Sequence, residues 1–307
     1  MTKEAAVELI DSSLSADSAR VVREWLRPCI FVRTRRVDDV PIGASKFGGH
    51  PDLPANTMWP VHNARQLVGI DPTSKLGVYS KEFPAALHFL GQVRLEDISS
   101  LDMEGHLPRS GMLFFFYDMR HGGWGHERGR SGGWRVIHTM CDRHQLVRTP
   151  FPGPPVGDPP SHTCALAFSA GWSLPSSDTI SSAKLLPVED ELDAYQQVTS
   201  DLPSLDGGDS PLHQMLGRAS GFTQGSVEAE CQSAAEGEGD NRSYSDPKRV
   251  TDARRALDNW LPLFQLDSDE AGPGWMFADL GTIYFMIRRD DLLACRFDRV
   301  WFSLQTS

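Results

Sequence analysis

Glycine and proline break the chain into short lengths, and this punctuation constrains the fold more than any other feature. Twenty-seven glycines and 21 prolines are spread through 307 residues. Between them lie apolar, β-branched and aromatic runs: IFVRT (30–34), LHFLGQV (87–93), GMLFFFYD (111–118), WRVIHTM (134–140) and CALAFSA (164–170). Runs this short, bounded by turn residues, predict the strands of a mainly antiparallel sheet.

Helical spacing is confined to a few places. Residues 3–26 read as two helices, with Val7, Ile10 and Leu14 on one apolar face and Val21, Val22, Trp25 and Leu26 on the next. Pro28 stops them, because the residue before a proline is pushed out of the helical region. Two peripheral packing helices follow. Leu192, Tyr195 and Val198 mark the first. Val250, Ala253, Leu257, Trp260 and Leu261 mark the second, with Asp246 as N-cap and Pro247 at the first helical position.

These elements predict a mainly β (α+β) fold with a roll-like antiparallel architecture. Residues 1–30 form an N-terminal helical segment, and 31–307 form one domain of two β-rich halves. The connector 149–162 is rich in Pro and Gly. The connector 201–211 is the expected seam between halves, and polar 231–249 reads as a mobile insertion. An internal echo supports the halves. LGQV with Gln92 leads to GMLFFFY from Gly111, and LFQL with Gln265 leads to GTIYFMI from Gly281.

Net charge is −11 and the pI is about 5.3. A field of that sign disfavours nucleic acid and anionic membranes as partners. The basic run RPCIFVRTRR (27–36) is the one local exception and reads as a solvated strand face. The five cysteines are far apart and form no CxxC pair, which argues against a disulfide scaffold or structural zinc. With no secretory h-region and no spanning apolar run, the expected location is cytoplasmic.

Several stretches could carry chemistry. Asp267 and Asp269 follow a strand, and Asp279 precedes the next, so the three could bind a divalent cation or instead cap backbone amides as Asx turns. An EF-hand fails, since the fifth and twelfth positions from Asp267 are Ala271 and Ala278. Gln92 and Gln265, inside apolar strands, must find amide partners. They either pin neighbouring loops or face a ligand in a cleft. His121, His126 and Glu127 lie close in a glycine-rich connection that reads as a hairpin more readily than as a metal site. His213 could be a base but has no nucleophile beside it. The stretch SKFGGHPDLPANTMWP (45–60) is either a site, with Lys46 and His50 turned into a cleft shared with Asp267 and Asp279, or a clamp anchored by Trp59. No G-x-S-x-G elbow, HExxH or P-loop is present.

The combination resembles the YwqG-like family, a bacterial family whose domain has no assigned function. Its opening pattern is met by Ser45, Lys46, Gly48, Gly49, Pro51, Leu53, Pro54, Trp59 and Pro60. Phe89, Leu90 and Gln92 meet the next, then Gly111, Leu113, Phe115 and Phe116, then Trp124, Gly125, Trp134, Arg135 and Val136. The closing pattern is Gln265, Asp267, Ser268, Asp269, Asp279, Gly281, Tyr284, Phe285, Asp291 and Leu292. Phe277-Ala278 stands where the family often has Trp-Gly, and His213 leads into QMLGRASGF rather than a Gly-Gly-Tyr-Pro-like run. The resemblance implies a β-roll with peripheral helices and supplies no catalytic residues.

Two functional expectations follow. The first is a non-enzymatic binding or protein-interaction module for a protein, peptide or small-molecule partner, in one form an acidic immunity-type protein. The alternative is an enzyme with a carboxylate-centred, metal-assisted site between the halves, with Gln92, Gln265 or His50 orienting substrate. No cofactor is expected beyond such a divalent cation. The ligand-binding candidates are Lys46, His50, Gln92, Gln265, Asp267, Asp269 and Asp279.

Overall fold

The structure is a computed structural model that describes residues 1–69, 79–123, 132–152, 161–204, 211–221, 223–237 and 247–306. Two N-terminal helices, α1 (Lys3–Ser13) and α2 (Ala16–Trp25), are capped by Thr2 and Ser15, whose hydroxyls accept the amides of Ala5 and Ser18. Strands β1 (Arg27–Arg36), β2 (Lys46–Phe47), β3 (Asp52–Pro54), β4 (Val61–Gly69), β5 (Tyr79–Ala86) and β6 (His88–Arg94) follow. After the short helix α3 (Leu95–Ile98) come β7 (Met112–Tyr117), β8 (Trp134–Thr139), β9 (Leu146–Arg148) and β10 (Cys164–Ser173). Helices α4 (Ser177–Ala183) and α5 (Leu192–Ser204) lead to β11 (His213–Met215). Helices α6 (Val227–Ala235) and α7 (Pro247–Asn259), strands β12 (Trp260–Asp267) and β13 (Thr282–Arg288), helix α8 (Arg289–Leu293) and strand β14 (Trp301–Gln305) complete the chain.

Ten strands form one antiparallel sheet in the order β14-β13-β12-β11-β1-β10-β2-β6-β7-β8. The pleat splits each long strand between two cores. Leu113, Phe115 and Tyr117 of β7 point inward with Ile283, Phe285 and Ile287 of β13. Their neighbours Met112, Phe114 and Phe116 pack outward beneath Leu53 and Leu146 of the small β3·β9 sheet. Tyr284 and Met286 of β13 pack outward beneath α6 and α7. The sheet curls until its two ends touch. Trp134 of β8 stacks on Phe302 of β14 at 5.5 Å between centroids, and its indole N–H donates to Val300 O at 3.0 Å.

The sheet is a register-exact internal repeat. In β6·β7, Gln92 pairs with Phe114; in β12·β13, Gln265 pairs with Tyr284. Both strand pairs skip one residue at the same step, Leu90 in one and Leu263 in the other. Lys46 faces Gln92 as Gln214 faces Gln265. The flanking strands obey the same operation, since Ala165 pairs with Lys46, Phe31 with Gln214, Arg35 with Ala165, and Phe31 with Ser169. A half-turn about the Arg33–Ala167 pair therefore exchanges the two halves of the sheet. The halves are interleaved. Among the described residues β1 pairs only with β10 and β11, and β10 only with β1 and β2, so each repeat's first strand lies within the other's territory.

Several sequence expectations change in detail. Trp260 and Leu261 do not extend α7, because the chain passes directly from Asn259 into β12, where both are buried. The stretch expected as a mobile insertion at 231–249 begins inside α6 and ends inside α7; its middle, with the N-cap candidate Asp246, lies outside the described residues. The seam expected at 201–211 starts within α5, and 205–210 also lie outside them. Helices α4 and α6, too short or too polar to show a clear apolar stripe, were not expected. Among the described residues no helix is long and apolar enough to cross a membrane.

Candidate functional site

The 45–60 loop resolves into a brace. Gly48 and Gly49 have φ of +63°, a region that disfavours side chains. A Cβ on Gly48 would lie 2.2 Å from His162 O, so only glycine lets this turn lie against the chain entering β10. The turn sends Lys46 inward, where it is fully enclosed. Its ammonium donates to His50 O at 2.5 Å and sits 3.6 Å from the buried carboxylate of Asp52. Gln92 reaches the same point from β6. Its carbonyl accepts Asp52 N–H at 2.8 Å, and its amide nitrogen donates to Ala44 O at 2.8 Å and Asp52 Oδ2 at 2.7 Å. Arg148 of β9 closes the network, donating to Asp52 Oδ1 and to Asp39. Burial pushes the Lys46 ammonium down to about 8, against the upward pull of Asp52. His50 is exposed, and Trp59 is half-buried, with its indole donating to Leu87 O at 2.8 Å.

The second repeat holds a neutral copy of this brace. Gln214 stands where Lys46 stands and donates to Arg218 O, four residues on, at 2.6 Å, as Lys46 donates to His50 O. Gln265 accepts Ser220 N–H at 3.2 Å, as Gln92 accepts Asp52 N–H. Leu216 and Gly217 take the left-handed conformation of Gly48 and Gly49, with φ of +60° and +75°. In both repeats the glutamine pins a turn to its own sheet.

The aspartates serve adjacent connections. Asp267 accepts Leu212 N–H at 3.0 Å and the hydroxyl of Thr282. Asp269 accepts Gly272 N–H at 2.6 Å and the Thr34 hydroxyl at 2.9 Å. His213 lies between them. Its Nδ1 accepts Asp267 N–H at 3.1 Å, which leaves Nε2–H to donate to Asp269 at 3.3 Å. Burial alone would raise the Asp269 carboxyl, but hydrogen bonds from His213, Gly272 and Thr34 hold it below its usual value. Asp279 is exposed, and among the described residues its one contact is through its carbonyl, which accepts the Thr306 hydroxyl. Among the described residues no three His, Cys, Asp or Glu side chains come together as a metal site. His121 instead joins His62 and His88 around Asp118, while His126 and Glu127 lie outside the described residues. The basic run 27–36 is β1, and its Arg36 is spent on the carbonyls of Gly272 and Glu270.

A cavity of about 430 Å³ opens where the two ends of the sheet meet. Trp134 and Arg135 of β8 form one side and Val300 and Trp301 the other. Arg135 and Trp301 occupy equivalent places in the two repeats, paired with Phe116 and Met286. Trp260 and Arg288, paired across β12 and β13, form the floor. Arg296, Asp298 and Arg299 come from the turn before β14, and Asp291 from α8. Of these residues the sequence patterns single out only Trp134, Arg135, Trp260 and Asp291. The available signal was Arg288, Arg289, Arg296 and Arg299 within twelve residues of an otherwise acidic chain.

A family model described as a domain of unknown function, DUF1963, matches residues 45–306. The chain belongs to the DUF1963 family. The DUF1963 span begins at Ser45, whose hydroxyl opens the first brace by accepting Arg94 N–H at 2.9 Å. It contains the second brace, the cavity and all of the first brace but Asp39 and Ala44, whereas β1, central to the sheet, precedes it. Among curated proteins none matches the chain.

Proposed function

We propose that this DUF1963 protein is a non-enzymatic binding module whose ligand enters the cavity between β8 and β14. The observation that carries the reading is Arg288. Its guanidinium lies 5.1 Å over the Trp260 ring and has no carboxylate partner among the described residues, yet it lines a recess large enough for a small molecule. The brace residues Lys46, Gln92, Gln265, Asp267 and Asp269 take the supporting part, holding the curl of the sheet on which the cavity depends. Exposed His50 and Asp279 have no part in it. Five free thiols support a reducing, cytoplasmic setting, and the resemblance to YwqG-like proteins supports a bacterial one.

A thermal-shift screen of chemically diverse small molecules tests the reading, with hits mapped by NMR of the tryptophan indoles. Saturable stabilisation that moves the Trp134, Trp260 or Trp301 signals is expected. Hits that leave all three signals in place, or a screen without hits, would remove the cavity as the binding site.

A further inference from the structure

We infer that the cavity between β8 and β14 selects a small dianion, such as a phosphate monoester or a dicarboxylate. The inference rests on the cavity being the binding site and adds the chemistry of its occupant. Four arginines and two aspartates line it, a local excess of two positive charges in a chain of net charge −11. The positive charges are unequally committed. Arg296 is paired with Asp291 at 2.8 Å, and Arg299 is 4.0 Å from Asp298, with both of those side chains largely in solvent. Arg135 and Arg288 have no acidic partner among the described residues.

The walls hold one of these cations in place and set the position of the other. Trp260 is fixed by its indole donating to Gln232 at 2.7 Å, and Arg288 is laid on its face. Trp134 is fixed by its bond to Val300 O, and Arg135 follows it in β8. A guanidinium held by stacking loses little freedom when it grips an oxyanion through two N–H groups. The half-turn of the sheet sharpens the contrast, because the place of Arg288 in one repeat is that of Asp118 in the other. Asp118 is surrounded by histidines, whereas Arg288 is left facing the cavity. One guanidinium preset on a ring, Arg288, and a second on the exposed face of β8, Arg135, complement two negative charges on a compact molecule.

The test is isothermal titration of the full chain with phenyl phosphate, inorganic phosphate, succinate, benzoate and a neutral phenol, at ionic strength matched with sodium chloride. The phosphates and succinate separate the two sources of a dianion. Saturable binding of a dianion, stronger than benzoate or phenol and weakened about tenfold or more by Arg135→Gln or Arg288→Gln, is the expected result. Both variants should keep the melting temperature of the parent, so that lost binding is not lost folding. Three results overturn the inference: dianion heats equal to those of matched chloride, unchanged dianion affinity in both variants, or neutral and monoanionic compounds binding more tightly. In the last case the cavity remains the site and only the charge of its ligand is wrong.

Discussion

Lys46 offers a test of the ionic brace that reads one proton. The ammonium is enclosed and has a folded value of about 8, against 10.5 for an ordinary lysine. Between those two values the unfolded chain binds one more proton than the folded chain, so raising the pH stabilises the fold. The penalty for burying the charge is fully present below the folded value and is relieved as the lysine deprotonates. At about 1.36 kcal/mol per pH unit, going from about pH 7 to about pH 10 should relieve about 2.5 kcal/mol. Lys46→Met keeps a long side chain and removes the titration, while Asp52 keeps Arg148, Gln92 and the amide of Gly43. The assay is urea unfolding of parent and variant across that range. The quantity to follow is the difference between them, because the buried thiols of Cys29 and Cys164, raised by burial to about 12 and about 11, titrate in both. The parent should gain on the variant by about 2.5 kcal/mol as pH rises. A gap that stays constant to within about 0.5 kcal/mol would refute the depressed lysine and with it the reading of the brace as enclosing a buried charge.

Three further outcomes follow from the same geometry. Burial opposes ionisation of Asp118, but hydrogen bonds from His62 and the amides of His121 and Arg120 bring it down to about 2. Its stabilisation is therefore present above the ordinary value of 3.8 and lost as pH falls toward 2, and Asp118→Asn should flatten the acid limb of stability by about 2 kcal/mol. Gln92→Leu strands Asp52 N–H and Ala44 O, whereas Gln265→Leu strands Ser220 N–H; at about 1–3 kcal/mol per orphaned group, the first should be the costlier in chemical denaturation. Gly48→Ala places a methyl against His162 O at a positive φ and should lower the melting temperature more than Gly105→Ala, where φ is +65° and nothing lies within 4 Å.

Much of the architecture was legible because strand and turn signals are local. The aromatic run 112–117 alternates between two cores, as a strand buried on both faces must, and the paired glutamines marked the repeat. Helix α7 was placed by its apolar stripe, but its end was not. Asn259 is a weaker stop signal than glycine or proline, and Trp260 suits a helix face as well as a strand. The brace was half visible: Lys46, Gln92 and Trp59 stood out, while Asp52 and Arg148 did not, since their pairing needs the β3·β9 contact, which spans about a hundred residues. The neutral copy at Gln214 was hidden because Lys46 and Gln214 differ in charge and share only a nitrogen donor and a place in the sheet. The cavity was least legible of all, since it exists only where the first and last strands of the sheet come together.

The interleaved strands bear on assembly. Because β1 and β10 complete each other's repeats, the connection between the repeats joins two partners that have already exchanged an arm. One repeat expressed alone would carry a first strand with no neighbour of its own, and its second strand would lie open as an edge. Two copies of that repeat could satisfy both by the same reciprocal exchange, restoring the ten-strand order as a symmetric pair. The single chain is thus equivalent to such a pair written once. Within its two-fold, one copy of the brace is neutral, and one position carries Arg288 where its counterpart carries Asp118.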